Sequence, residues 1–197
     1  MKTSLSRPKT DIAFVLLAAG RSERFGSNKL LADFQGKPLW HWAAEAAENA
    51  GFEKLFLVCN PDSLLEPRKG WRRVINHDAG RGMGNSIAKG MSTCRHCSSA
   101  VVALADMPFV TAEHLQALID SECIAFTEYG TEGMGCPAAF PQSAFSKLRR
   151  LDGDRGASAL KWKGAVALAP REALMASDVD TVEQLEELQF VANEQTA

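Results

Sequence analysis

IAFVLLAAGRSERFGSNK, residues 12–29, opens with an unbroken apolar run, Ile12 to Leu17, and passes without a spacer into a loop holding two glycines and three basic side chains. A continuous apolar run of this length fits a strand buried on both faces. Gly20 and Gly26 are expected to take backbone angles closed to other residues, turning main-chain N–H groups toward an anion. Arg21, Arg24 and Lys29 add positive charge beside them. A strand that delivers such a loop suits a polyphosphate, most simply a nucleoside triphosphate. The loop lacks the GK[ST] ending of a Walker-type P-loop and the GxGxxG spacing of a dinucleotide fingerprint.

Outward from this stretch the chain alternates strands and helices. Lys37-Pro38-Leu39 is expected to open a helix, since proline at a first helical position costs nothing, and Leu39, Ala43, Ala46 and Ala50 follow at helical spacing until Gly51. Leu55 to Cys59 reads as a second buried strand, stopped by Asn60-Pro61. Further strands are expected at Arg73 to Asn76, Ala100 to Ala105, Ile124 to Phe126, Pro137 to Phe140 and Ala165 to Leu168. Helices are expected at Asn85 to Cys94, after Thr111, at Pro141 to Leu151, at Gly156 to Trp162 and at Val182 to Phe190. This alternation specifies an α/β fold, a mostly parallel sheet covered on both faces, with ligands beyond the carboxyl ends of its strands. The whole chain, 1–197, reads as one domain with frayed tails at about 1–10 and 193–197.

Composition narrows the partners. With 197 residues, 46% of them hydrophobic, and a formal net charge of −2, the chain has material for a core but no global positive field for nucleic acid or an anionic membrane. No apolar stretch approaches the ~20 residues needed to span a bilayer, and the run before Gly20 is too short and too close to Asp11 for a secretory signal. Five irregularly spaced cysteines suit reduced thiols in a cytoplasm. Cys94-Arg95-His96-Cys97 has the spacing of half a zinc site without the other half, and reads as the end of a helix.

Several polar motifs fall where the expected topology would gather them. Asp106 follows an apolar strand in Ala105-Asp106-Met107-Pro108 and either caps a turn or holds a divalent cation. Mg²⁺ usually takes one or two carboxylates plus phosphate oxygens and water, and Asp178 and Asp180 offer the second carboxylate, although one of them would also serve to cap the following helix. Gly80-Arg81-Gly82-Met83-Gly84-Asn85-Ser86 is a glycine-rich turn entering a helix, able to bring backbone amides and the Ser86 hydroxyl to a base or ribose. Gly153-Asp154-Arg155-Gly156-Ala157 is a further turn. The histidines lack metal-ligand spacing, and the tryptophans read as core or rim.

Taken in order, the LAAGxSxRFGxxK loop at Leu17 to Lys29, GMxxS at Gly82 to Ser86, ADMP at Ala105 to Pro108, GDRGA at Gly153 to Ala157 and DVDT at Asp178 to Thr181 resemble the molybdenum cofactor cytidylyltransferases, within the molybdopterin nucleotidyltransferases. The resemblance implies a three-layer Rossmann-like sheet of the glycosyltransferase-A, or nucleotide-diphospho-sugar transferase, type. It implies CTP with Mg²⁺ as donor, a molybdopterin-type acceptor whose terminal phosphate takes CMP with release of pyrophosphate, and a molybdoenzyme or its chaperone as recipient of the product. Arg24 and Lys29 would grip the triphosphate, with Asp106 completing the catalytic set. Asp106 and Asp180 would hold Mg²⁺, and Leu17, Ala18, Ala19, Gly20, Arg21, Gly82 and Ser86 would complete the nucleotide site. Ala19 stands where the related guanylyltransferases, whose loop reads LAGG, have their extra glycine, which favours cytosine over guanine. Ser158 replaces the arginine of the commoner GDRGAR, which leaves the acceptor open. Two alternatives stand beside this reading: a nucleotidyltransferase of the same fold using GTP or another phosphorylated acceptor such as a sugar phosphate, and a non-catalytic nucleotide- or cofactor-binding module.

Overall fold

The computed structural model describes residues 11–20, 25–26 and 28–196. In chain order its elements are β1 (Ile12–Leu17), β2 (Asp33–Phe34), β3 (Lys37–Pro38), α1 (Trp40–Asn49), β4 (Lys54–Cys59), β5 (Trp71–Ile75), α2 (Met83–Thr93), β6 (Ser99–Leu104), α3 (Ala112–Asp120), β7 (Ala125–Glu128), β8 (Met134–Pro141), α4 (Phe145–Leu148), β9 (Val166–Leu168) and α5 (Val182–Thr196). Seven strands form one sheet in the order β5-β4-β1-β6-β8-β7-β9. Only β8 runs antiparallel to its neighbours. Among the described residues no helix is long and apolar enough to cross a membrane.

The unbroken apolar reading of β1 has a direct cause. Successive side chains of a strand point to opposite faces: Ile12, Phe14 and Leu16 enter the core beneath α1 and α3, and Ala13, Val15 and Leu17 the core beneath α2 and α4. Every residue of the strand is buried. In the first core Phe14 lies tilted to Phe52 at 5.1 Å and edge-on to Trp71 at 6.1 Å between ring centroids. In the second, Phe126 meets Phe140 edge-on at 5.5 Å. Gly90 lets α2 lie close on the sheet, because a side chain there would drive into Val15 Cγ1 and reach 3.0 Å from Val58 Cγ2.

Three expectations are corrected. Lys37-Pro38 does not begin a helix: it pairs antiparallel with Asp33 and Phe34 as a two-strand ribbon, and α1 starts at Trp40. Gly156 to Trp162 is a single 3₁₀ turn over Ala157–Ala159, held when Trp162 Nε1 donates to Ala157 O at 2.8 Å. Pro141 to Leu151 contains only a 3₁₀ turn and the four-residue α4. At the chain's end α5 runs past Phe190 to Thr196. Cys94 is the C-cap residue of α2, and burial pushes its thiol up to about 12.

A buried polar line ties α3 to the antiparallel part of the sheet. Thr127 Oγ1 donates to Pro137 O at 2.7 Å, so its lone pair is left for His114 Nε2–H at 2.8 Å, and the ring is neutral with its proton on Nε2. Burial holds the His114 pKa below its ordinary 6.5. The folded state then binds fewer protons than the unfolded one, so this contribution to stability is complete above the unfolded pKa and is lost as pH falls through the folded one. Urea unfolding is expected to show stability falling between pH 7 and pH 5, at most about 1.4 kcal/mol per pH unit for one proton. His114→Gln, which keeps a donor toward Thr127, is expected to flatten that fall; an unaltered profile would remove His114 as its source.

Candidate active site

The carboxyl ends of β1 and β6 are the floor of the site. The ladder continues one residue past β1 on both sides, with Ala18 N donating to Val58 O at 2.7 Å and Ala105 N to Leu17 O at 3.0 Å. Beyond it opens a pocket of about 480 Å³ bordered by Leu17, Ala19, Gly20, Ala79, Gly80, Gly82, Met83, Ser86, Leu104, Asp106, Asp154, Asp178 and Asp180. That volume suits a nucleotide-sized ligand. Of the residues singled out from sequence, Leu17, Ala19, Gly20, Gly82, Ser86, Asp106 and Asp180 border it. Ala18 is buried behind it. Arg21 and Arg24 lie outside the described residues.

Lys29 sits at the centre of the acidic side. Its Nζ lies 2.7 Å from Asp106 Oδ2, 2.9 Å from Asp180 Oδ1 and 2.6 Å from the carbonyl oxygen of Val179. Burial would lower its pKa, but the Asp106 carboxylate and then Asp180 outweigh burial and hold it above the ordinary 10.5. Asp106 Oδ1 is buried and, among the described residues, has no hydrogen-bond partner. An orphaned, inward carboxylate oxygen calls for a missing cation or donor. Partial desolvation at the pocket wall, followed by the charges of Asp106 and Asp180, raises the Asp178 pKa even though the residue stands open to solvent at the rim. This acidic side cannot take a polyanion unaided, so the donor set fits a hard divalent cation bound through carboxylate oxygens and completed by ligand oxygens and water. Among the described residues no three His, Cys, Asp or Glu form a complete cage.

Sequence-distant Asp180 reaches Lys29 through local capping and a third small core. Thr181 Oγ1 accepts from Gln184 N at 3.2 Å, while Gln184 Oε1 accepts from the backbone of Asp180 and Thr181 at 2.7 and 3.1 Å. Threonine and glutamine therefore cap α5, and Asp180 is spared that task. Phe25, Phe34, Leu39, Val179 and Leu185 bury together, Val179 N donates to Asp106 O at 3.0 Å, and Gln189 Nε2 donates to Asp33 O at 2.8 Å. The β2–β3 ribbon is thus the seat for α5 and the acidic segment before it.

The glycine-rich turn is clamped to the loop at 152–156. Gly84 N donates to Gly153 O at 2.8 Å, Arg81 pairs with Asp152, and a Cβ on Gly82 would lie 2.5 Å from Gly153 C. This docking brings Asp154, which the sequence did not single out as a site residue, to the pocket wall. A second pocket, of about 710 Å³, adjoins the first through Asp178 and is bordered by Glu128, Tyr129, Pro170, Ala173, Ser177 and Gln184 among others.

A mostly parallel sheet, a glycine-lined pocket beyond its strand ends and a lysine between two aspartates suit nucleotidyl transfer. The chain belongs to the MobA-like NTP transferase domain family, whose model matches residues 14–166. It is 28% identical over 192 residues, 90% of this chain and 94% of the relative, to the purine catabolism protein PucB of Bacillus subtilis. It is 33% identical over 106 residues, 53% of each chain, to a probable molybdenum cofactor guanylyltransferase of Thermococcus gammatolerans. The solved structure of Rv0371c from Mycobacterium tuberculosis superposes with a TM-score of 0.79 at 26% identity, covering 92% of this chain and 99% of that one.

Proposed function

We propose that this enzyme is a cytidylyltransferase of cytoplasmic cofactor assembly, moving CMP from CTP to the terminal phosphate of a molybdopterin-type acceptor. The observation that carries the reading is Lys29, fixed between Asp106 and Asp180 beneath a pocket bordered by Leu17, Gly20, Gly82 and Ser86. An acceptor that is already an ionised phosphate requires no general base. One acceptor oxygen attacks the α-phosphorus, a P–O bond forms in line with the one that breaks, and the electron pair leaves on pyrophosphate.

The chain's own task is positioning and neutralisation of charge. Lys29, with Arg21 and Arg24 of the same sequence motif, would draw the triphosphate against the strand ends. Asp106 and Asp180 would hold Mg²⁺, which supplies charge neutralisation on the phosphate oxygens when bound. The second pocket, sharing Asp178 with the first, supports placing the acceptor's organic body there, with its phosphate directed back toward Lys29. Ala19 in place of the glycine of LAGG supports cytosine; the guanylyltransferase named among the relatives makes GTP the competitor to test.

Calorimetric titration with CTP and with GTP, each with and without Mg²⁺, tests the donor and the metal together. Binding of CTP over GTP that depends on Mg²⁺ is the expected result. Equal binding, or preference for GTP, overturns the cytidylyl assignment, and affinity indifferent to Mg²⁺ overturns the metal site. Pyrophosphate release with CTP and a sugar phosphate in the absence of any pterin would replace the proposed acceptor.

A further inference from the structure

Asn76 follows β5 and is 1% exposed, and both polar atoms of its amide have a partner. The backbone N–H of Asp78 donates to its Oδ1 at 3.1 Å. That bond fixes the amide orientation, because the oxygen must face the donor, and leaves Nδ2 to donate to Ser86 Oγ at 3.1 Å. Ser86 stands in the first turn of α2, 6% exposed, and borders the nucleotide pocket. A backbone N–H and an amide NH₂ can only donate, so the line runs one way, from Asp78 through Asn76 to Ser86. Asn76 takes one of the two lone pairs of the Ser86 oxygen. Among the described residues its own hydrogen has no acceptor, so the hydroxyl meets the pocket as a donor.

We propose that Asn76 is a specificity-determining positioning residue: it commits the Ser86 hydroxyl to donate into the pocket, so that a base is taken through an acceptor atom on its edge. The inference rests on the nucleotide-transfer reading above and sharpens it to the level of hydrogen-bond polarity. Cytosine offers two neighbouring acceptors, N3 and O2, on its pairing edge, whereas guanine offers the N1–H and N2–H donors at the corresponding positions. With Asn76 in place the hydroxyl hydrogen finds its acceptor on the first edge, whereas on the second Ser86 would accept with its remaining lone pair and leave its own hydrogen unpaired. A polarised line in a low-dielectric wall also strengthens its terminal bond.

Asn76→Asp reverses the line at nearly constant shape. Its carboxylate still accepts from Asp78 N–H but cannot donate, so Ser86 must turn its hydrogen toward the carboxylate and show the pocket lone pairs instead. Binding of CTP and of inorganic triphosphate, both with Mg²⁺, is measured on the wild type, Asn76→Asp, Ser86→Ala and the double variant. We expect Asn76→Asp to weaken CTP about ten- to hundredfold, to leave inorganic triphosphate unchanged and to narrow any preference for CTP over GTP. The double variant should bind CTP no more weakly than the weaker single one, because both act through one hydroxyl. Unchanged CTP affinity, equal loss of CTP and inorganic triphosphate, or additive losses would each overturn the proposal. If Asn76→Asp does not fold, Ser86→Ala decides alone: it must weaken CTP and spare inorganic triphosphate, and any other result overturns the proposal. A wild type that prefers GTP defeats the cytosine assignment separately, and the same cycle run with GTP then decides the role of Asn76.

Discussion

Lys29→Ala is expected to lower turnover by about 10²–10³, the scale of losing one preorganised donor at a reacting group, and in the same protein to raise affinity for a divalent cation offered without nucleotide. The two effects have one cause. In the structure the ammonium group already lies between the Asp106 and Asp180 carboxylates, so it offsets the charge of the groups that would hold a metal, although Asp106 Oδ1 itself stays unpartnered among the described residues. A divalent cation held by these carboxylates would compete with Lys29 for them. Without the lysine that competition would end and a metal would bind more tightly, while the triphosphate would lose the positive charge of Lys29. Alanine also leaves Asp106 uncompensated in a largely buried position, which destabilises a protein strongly when its partner is removed. Added Mg²⁺ should therefore recover part of the lost thermal stability. Pyrophosphate release reads the first effect, and calorimetry with Mg²⁺ alone the second. An unchanged rate would sink the assignment of Lys29, and weaker metal binding would show that it supports the cation instead of standing in for it.

The two-sided burial of β1 made the fold legible from residues 12–17, because a strand covered on both faces leaves an uninterrupted apolar run. Lys37-Pro38 misled because proline is equally at home at a helix start and at the edge of a two-strand ribbon, and only pairing with Asp33 and Phe34 distinguishes them. At 156–162 the alternation of small and apolar residues is satisfied by docking Trp162 back on Ala157 without a helix. Asp106 and Asp180 could be named as site residues from their places after apolar segments. Their attachment to one lysine could not, since it depends on α5 settling on the ribbon far away in sequence. Asn76 was hidden for another reason: as a residue type it reads as a strand end, and its meaning lies in which atom of its amide faces Ser86. The cap of α5 was assignable in principle, because Thr181 and Gln184 stand at the spacing of a capping box.

Glycine by glycine, the site separates positions required by the fold from those required by a ligand, and Gly82→Ala against Gly20→Ala tests the separation. Gly82 has φ +110°, and a Cβ on it would stand 2.5 Å from Gly153 C and 2.6 Å from Gly153 O, against backbone that cannot rotate aside. Gly82→Ala is expected to cost about 1–3 kcal/mol in backbone strain and a further ~1–3 kcal/mol in overpacking, seen as a lower urea midpoint. It should also loosen nucleotide binding, because the turn carrying Ser86 would be prised from the loop at 152–156. Gly20 departs from the expectation drawn for it: its φ lies outside the left-handed range and a Cβ there meets nothing within 4 Å. Gly26, at φ +74°, keeps that expectation. Gly20→Ala should then change stability by no more than about 0.5 kcal/mol while weakening nucleoside triphosphate by tenfold or more, since the new methyl group fills space that a phosphate would approach. Equal stability of Gly82→Ala and the wild type would mean that the turn is not seated as described. Normal nucleotide affinity in Gly20→Ala would mean that no ligand comes close to Gly20.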